Sequence, residues 1–455
     1  MRERFFLEDL ARFTGESPER LRAWQQLGFL GGHGAEPFTA EDIEKVRLAQ
    51  MLLQRGFPLH VIEAAARQAV HLGIADYLRD VFTAGIGPVF SLAEAAEIVG
   101  LDPALARRFW AAAGMQDQGD VLYQEDVDML RYLHIALSAG LPEEALVQLQ
   151  RVYSDALNRV AEMETRVVRF YISQRLLAAG VSAFEYAQAL DAAQRRLGPL
   201  TEPAVLYYHR KGMVRGVRES VAWHLEQMVQ GWPTPAEPGQ MLAAVAFVDL
   251  ASFTPLAEAM GDAAAAQVLE RFGDIVRRCA GVWGGRTVKQ IGDAFMLVFP
   301  EPRAALACLL EIESSARREP QFPAVRGGLQ WGPVLYREGD YVGSNVNIAS
   351  RLAEEADRHQ VLITGDVRRE AAGMPEVEFV RLGKRRLKGL AVEIELFEAR
   401  SSKETQPDRV LDPVCGMELA PSEVAATLIF GGRDHAFCSE ECLKRFVSTP
   451  ELYGG

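Results

Sequence analysis

The 455-residue sequence predicts a multidomain chain. It combines an all-α helix-turn-helix repeat region, an α/β domain of ferredoxin-like element order, and a small α+β segment carrying cysteines. Three observations predict this. A set of motifs recurs in the first half at offsets of 84 and 85 residues. An apolar run, Ala243-Ala-Val-Ala-Phe-Val-Asp-Leu250, opens a β-α-β-β-α-β pattern. Three of the five cysteines (Cys415, Cys438 and Cys442) crowd the end of the chain.

Composition bounds the rest. With 49% hydrophobic and 24% charged residues, the chain reads as ordinary globular protein. No apolar run approaches the roughly 20 residues that cross a bilayer, so no membrane span is expected. The opening Met1-Arg-Glu-Arg-Phe-Phe-Leu-Glu-Asp-Leu10 breaks its apolar stretch with acids and does not read as a signal peptide. Sparse, uneven thiols point to a reducing, cytoplasmic setting. The net charge of −13 argues against a nucleic-acid-coating protein.

Two stretches read as linkers: Gly231–Gly239, with three prolines, and the polar Arg400–Arg409. The expected organisation has six parts. Residues 1–88 and 89–230 are two helical repeats, the second with a long helix. A linker at 231–239 precedes an α/β domain at 240–399. A second linker at 400–409 precedes a cysteine segment at 410–455. The repeat pairs Phe5-Leu-x-x-Leu-Ala…Gly15-x-x-Pro18 with Phe90-x-Leu-x-x-Ala-Ala…Gly100-x-x-Pro103, a duplicated supersecondary unit. Pro142 to Gly180 has no internal Pro or Gly. Its apolar spacing (Leu146, Leu149, Tyr153, Val160, Met163, Val167) predicts a long amphipathic helix suited to packing or dimerisation. Its heptad is imperfect, which favours a bundle over a free coiled coil.

In the middle segment, Ala243–Leu250 reads as a strand buried on both faces. A helix follows over about 255–279. Arg286–Phe299 reads as a hairpin turning at Gly292-Asp293. A helix over 302–318 and a strand over 324–329 complete the order. Asp249 at a strand exit and Asp293 in a turn can converge, offering hard oxygens to Mg²⁺ or Mn²⁺ with substrate phosphates. Equally, Asp249 can cap the next helix and Asp293 can merely form the turn.

The flanking residues weigh on that choice. Phe247-Val-Asp-Leu-Ala-Ser-Phe-Thr254, Val288-Lys-Gln-Ile-Gly-Asp-Ala-Phe-Met296 and Asp340-Tyr-Val-Gly-Ser-Asn-Val-Asn-Ile-Ala-Ser-Arg-Leu352 together resemble the class III adenylate/guanylate cyclase domain. The resemblance implies that Asp249 and Asp293 hold two Mg²⁺ or Mn²⁺ ions. It implies that Lys289 and Asp340 read the purine of ATP, a pairing that suits adenine's N1 acceptor and N6 donor. By the same likeness Asn347 orients the ribose, Arg351 stabilises charge on the reacting phosphate, and Lys388 contacts the triphosphate. Asn347 and Arg351 stand i, i+4 on one helix face. The implied reaction is conversion of ATP to 3′,5′-cyclic AMP and pyrophosphate. The site lies between the domains of a homodimer in this family. Gln330-Trp331-Gly332 departs from the family's usual His-Thr-Gly-like sequence but touches none of these positions.

Upstream, Phe6–Leu30 resembles the winged-helix unit of MerR-type regulators. Its wing, Gly31–Pro37, carries no Lys or Arg, so DNA is not an expected partner. Phe90-Ser-Leu-Ala-Glu-Ala-Ala-Glu-Ile-Val-Gly100 and Ala139-Gly-Leu-Pro-Glu-Glu-Ala-Leu146 are similar to the regulatory region of pH-dependent, autoinhibited bacterial cyclases. At the other end, Asp412-Pro-Val-Cys-Gly-Met417 and His435-Ala-Phe-Cys-Ser-Glu-Glu-Cys-Leu-Lys-Arg-Phe446 resemble a YHS domain, related to TRASH-type metal modules. Cys415, Cys438 and Cys442 would there favour Zn²⁺ or Cu⁺, with His435 a candidate fourth ligand. A rival reading is a non-catalytic, nucleotide-sensing, MerR-like DNA-binding regulator.

Overall fold

The structure, a computed structural model, describes residues 5–26, 29–31, 37–58, 60–62, 64, 88–115, 121–230, 237–390, 392–402 and 409–453. The chain divides into two compact units, Met1–Trp232 and Pro233–Gly455.

The first unit is helical and built twice. Helices Leu7–Thr14, Pro18–Gln26 and Ala40–Gln54 recur as Leu92–Val99, Pro103–Ala112 and Gln124–Ser138. Leu7 to Leu92 is an offset of 85 and Ala40 to Gln124 one of 84, as the motifs require. Each copy is clipped by one antiparallel bridge, Phe5 to Phe38 and Phe90 to Leu122. Acids fasten the helix starts: Glu94 accepts from the Ser91 N–H at 2.8 Å, and Asp126 from the Tyr123 N–H at 2.8 Å. Each copy also has its own core, around Phe5, Trp24 and Phe38 and around Phe90, Phe109 and Leu122. Most of the wing of the first copy (residues 32–36) lies outside the described residues.

The predicted long helix runs Glu143–Val168, then widens into a π-turn at Arg169–Ser173 before Gln174–Ala178. Ala183–Gln230 continues helically through Pro199 and Pro203. Leu149, Tyr153, Val160, Met163 and Val167 are exposed along the first of these helices, as is Phe170 in the π-turn that follows. Their spacing of 4, 7, 3, 4 and 3 makes an imperfect heptad stripe, since the equally exposed Leu157 falls off it and the last interval enters the π-turn.

In the second unit, β1 (Gln240–Leu250) is flanked by the hairpin of β2 (Arg286–Ile291) and β3 (Ala294–Phe299) on one side. On its other side lies β5 (Val325–Arg337), preceded by the short β4 (Phe322–Pro323). Then come β6 (Asp340–Val342), β7 (Val361–Thr364), β8 (Val377–Arg385) and β9 (Ile394–Ser401). The sheet order is β2-β3-β1-β5-β7-β9-β8, with β6 on β5, and the sheet is mixed because β5 and β7 run parallel. The apolar run of β1 serves both faces, as its continuity predicts. Ala244, Ala246, Val248 and Leu250 join the core under the helices Asp262–Val282 and Pro302–Arg318. Ala243, Val245 and Phe247 join the core beneath the helix Ser344–Glu355. That helix lies close on the sheet: a Cβ on Gly328 would sit 2.3 Å from the Ala353 nitrogen. Two expectations are revised. The helix expected at 255–279 is two, Phe253–Met260 and Asp262–Val282, divided at Gly261, and the strand expected at 324–329 extends to Arg337. The longer strand is stabilised by pairing with β1 along its length and with β6 at its end.

The C-terminal stretch packs into this same unit. β10 (Val410–Leu411) pairs with β11 (Met417–Leu419), and β11 pairs with β4. A hairpin, β12 (Ala426–Phe430) with β13 (Arg433–Phe437), leads to the helix Glu440–Ser448. Phe437 and Phe446 are fully buried in the cluster that also holds Phe272 and Phe322. Burial of such rings contributes about 1.5–3 kcal/mol each. Exposed pairs such as Arg445–Glu441 contribute about 0–1. The seat is therefore mainly apolar. Among the described residues, no helix is long and apolar enough to cross a membrane.

Candidate active site and a buried thiol cluster

Asp249 lies at the exit of β1, half-buried between the buried Val248 and Leu250 and on the alternate face. Across the pair, its register partner on β5 is Arg326. The guanidinium donates to Asp249 Oδ2 from Nη2 at 2.7 Å and from Nε at 3.2 Å. Asp249 Oδ1 is buried and has no hydrogen-bond partner among the protein atoms. Asp293, in the β2–β3 turn, meets Asp249. Burial, and then the charge of Asp249, push the Asp293 carboxyl up to about 6. Two acids so close resist ionising together. A buried oxygen without a donor and a carboxyl whose ionised form is disfavoured by burial and a neighbouring charge are what a divalent cation would relieve, so these residues fit Mg²⁺ or Mn²⁺.

Lys289 on β2 and Asp340 at the start of β6 form an ion pair. The structure thus brings together the two residues expected to read the purine. Asn347 and Arg351 lie one turn apart on the helix Ser344–Glu355, with Arg351 paired to Glu354. Lys388 is exposed, just after the buried Leu387. Within one chain the structure therefore joins Asp249 to Asp293 and Lys289 to Asp340, while Arg351 is engaged by its own helix. The departing Gln330-Trp-Gly segment does local packing work. Gln330 donates to Asn345 Oδ1 at 2.8 Å and accepts from Thr364.

Sequence reasoning missed Arg326. No motif marks it, and only the β1–β5 register sets it opposite Asp249. It also missed Asp412. Among the described residues, the ligand atoms of Asp412, Cys415, Cys438 and Cys442 all lie within 4.8 Å of one another, and all four residues are buried. Cys438 Sγ is 3.5 Å from both Cys415 Sγ and Cys442 Sγ. No disulfide joins them. Thiolates about 2.3 Å from a tetrahedral ion stand about 3.8 Å apart, close to these separations. Asp412 organises the cluster, accepting from the backbone N–H groups of Val414 at 2.8 Å, Cys415 at 3.3 Å and Cys438 at 2.8 Å. The three thiols share hydrogen bonds, which hold Cys442 below its usual range while Cys415 is pushed up. His435, the candidate fourth ligand, is outside this group and lies tilted against Phe446, with centroids 4.8 Å apart and planes at 40°; the fourth ligand atom near the three sulfurs is that of Asp412.

A mixed sheet with paired aspartates at the exit of β1 and in the adjacent hairpin defines a nucleotide cyclase domain. The chain belongs to the class III adenylate/guanylate cyclase family. Residues 238–398 match the adenylate and guanylate cyclase catalytic domain, and residues 36–208 match the adenylate cyclase regulatory domain. An adenylate cyclase of Streptomyces coelicolor is 31% identical over 274 residues, covering 59% of this chain and 68% of the relative. A pH-sensitive adenylate cyclase of Mycobacterium tuberculosis is 28% identical over 390 residues, covering 82% of this chain and 90% of the relative. Among solved structures, the adenylyl cyclase CyaB from P. aeruginosa aligns at 19% identity with a TM-score of 0.33, covering 36% of this chain and 96% of that one.

Proposed function

We propose that the protein converts ATP to 3′,5′-cyclic AMP and pyrophosphate at sites shared between two copies of the chain. The observation that carries this reading is the Asp249–Asp293 pair, with its donorless buried oxygen and raised carboxyl. One copy supplies Asp249 and Asp293. The other supplies Lys289, Asp340, Asn347, Arg351 and Lys388. In the reaction the 3′-hydroxyl gives its proton to solvent, its oxygen bonds to the α-phosphorus, and the bond from that phosphorus to the bridging oxygen breaks, so that pyrophosphate leaves with the electron pair. When bound, two Mg²⁺ or Mn²⁺ ions supply Lewis acidity to the attacking and phosphate oxygens. Arg326 fixes the orientation of Asp249 through its paired N–H donors. Lys289 and Asp340 exchange their mutual contact for the N1 and N6 edges of adenine. Asn347 sets the ribose, and Arg351 leaves Glu354 to offset charge at the reacting phosphate. Lys388 neutralises the triphosphate.

The exposed apolar stripe from Leu149 to Val167 supports the dimer, since a stripe of that kind is stabilised by a second helix. The helical region before the catalytic domain regulates it, in keeping with the matched regulatory domain. The cysteine segment is a YHS-type module that takes Zn²⁺ or Cu⁺ on Cys415, Cys438 and Cys442. The test is to incubate purified full-length protein with ATP and Mn²⁺ and measure cyclic AMP. The wild-type chain is expected to form product and Asp249→Ala to fall by at least about 100-fold. No product from the wild type in either metal at any pH would overturn the reading.

A further inference from the structure

The thiol cluster abuts the turn that follows Asp249. Gly416, the neighbour of Cys415, has a left-handed φ of 72°. A Cβ placed on it would lie 2.7 Å from Ser252 Cβ. The turn carrying Cys415 is thus seated on the catalytic loop without clearance. Ser252 is itself left-handed (φ 70°, ψ 32°), a strained conformation for a residue with a Cβ, so its surroundings must hold it.

Arg358 bonds to both sides of this contact. Its Nη1 donates to Ser252 Oγ at 3.1 Å. Its Nη2 donates to the Gly416 carbonyl at 2.8 Å and to Glu418 Oε1 at 3.4 Å. The next residue, His359, donates its backbone N–H to the Val325 carbonyl at 2.9 Å, and Val325 precedes the Arg326 that grips Asp249. Two short paths therefore run from the cysteine turn to the same aspartate. One passes through Ser252 along the chain, the other through Arg358, His359 and β5.

We propose that a thiolate-preferring cation bound by Asp412, Cys415, Cys438 and Cys442 raises cyclase turnover by holding the Ser252 turn, and with it Asp249, in its catalytic position. This rests on the cyclase reading above and adds its regulation. Asp412 already ties together the two cysteine-bearing segments through three backbone N–H groups. An ion joining the same four groups fixes the Cys415–Gly416 turn. Loss of the ion leaves that turn supported only by its hydrogen bonds, and Gly416 and Arg358 no longer constrain Ser252. Bound metal and catalysis are then coupled through an element with two arrangements.

The experiment uses the full-length protein. Metal content is measured, the soft metal is stripped with a chelator that is then removed, and Zn²⁺ is returned stoichiometrically. Turnover is assayed with Mg²⁺-ATP, because Mg²⁺ does not compete for thiolates. Amide hydrogen exchange of residues 250–254 is followed in parallel. The wild type is expected to bind about one Zn²⁺ per chain. Stripping is expected to lower kcat about five-fold or more and speed exchange at 250–254, both restored by Zn²⁺. Arg358→Gln keeps the ligand set, so it should still bind Zn²⁺, but neither turnover nor exchange should respond. The double change Cys438→Ser, Cys442→Ser should abolish both binding and response. Failure of the wild type to bind Zn²⁺ or Cu⁺ would overturn the proposal. So would full loading with unchanged turnover and unchanged exchange, or an Arg358→Gln response equal to that of the wild type. If exchange follows the metal but no cyclic AMP ever forms, the coupling stands and the cyclase reading fails.

Discussion

Asp249 and Asp293 are partly exposed at the end of β1 and in a hairpin turn, offering oxygen to an incoming ligand. Asp412, Cys415, Cys438 and Cys442 are closed over by Phe437 and Phe446 in the core of the same unit. Both groups pair acids with a local excess of potential negative charge, yet they suit opposite tasks. Hard carboxylates that are only half-buried, at a strand exit and in a hairpin turn, suit a cation that arrives with phosphates. Buried sulfurs suit a resident ion. The difference teaches that accessibility, as much as donor chemistry, separates a site that turns over from one that holds.

That contrast can be broken at several points. The largest effect is expected at the substrate-facing site. Arg351→Ala should cut kcat by about 100-fold or more while leaving the KM for ATP within a few-fold. A rise in KM with kcat intact would make Arg351 a binding group instead. Next is selectivity: Lys289→Glu with Asp340→Cys should turn preference from ATP toward GTP, read as the ratio of kcat/KM values. An unaltered ratio would remove these residues from purine recognition.

A smaller effect is expected at the seam between the cysteine segment and the sheet. Burial lowers the pKa of His359, but hydrogen bonds to Glu313 and Glu418 outweigh it and hold the imidazole above its ordinary 6.5. The rings of contact are short, 2.8 Å at Nδ1 and 2.6 Å at Nε2. Burial raises the Glu418 pKa, but His359 and Arg358 outweigh it and hold the carboxyl below 4.5. A raised histidine contributes stability that is fully present below its unfolded pKa and lost as pH rises through the folded one. A depressed carboxylate contributes above its unfolded pKa. The bridge should therefore stabilise most between 4.5 and 6.5. The Tm difference between wild type and His359→Gln should be widest there and shrink in alkali. A difference independent of pH would show that the contact is only packing.

Much of the catalytic half was legible in the sequence because its signals are local. An apolar run ending in Asp249 and a Gly-Asp turn mark strand and hairpin, and the spacing of Asn347 and Arg351 puts them on one helix face. The duplicated unit was legible for the same reason: capping acids and closing glycines recur at fixed offsets. What escaped depends on pieces distant in the chain. Arg326 acquires its role from the register of β5 against β1. Asp412 acquires its role from backbone N–H groups on two separate segments. The packing of the cysteine segment on Phe322 and Phe272 has no local signature, since β4 is only Phe322–Pro323. The widened turn at Arg169–Ser173 likewise interrupts a stretch whose sequence lacks any Pro or Gly to announce it.

The proposed site is assembled from two copies of the chain, and complementation tests that most directly. Asp249→Ala and Arg351→Ala chains should each be nearly inactive alone. Co-folded or exchanged in equal amounts, half the dimers are mixed and each has one intact site, so about a quarter of wild-type activity should return. A mixture no more active than its parents, with mixed dimers demonstrated to form, would contradict the account.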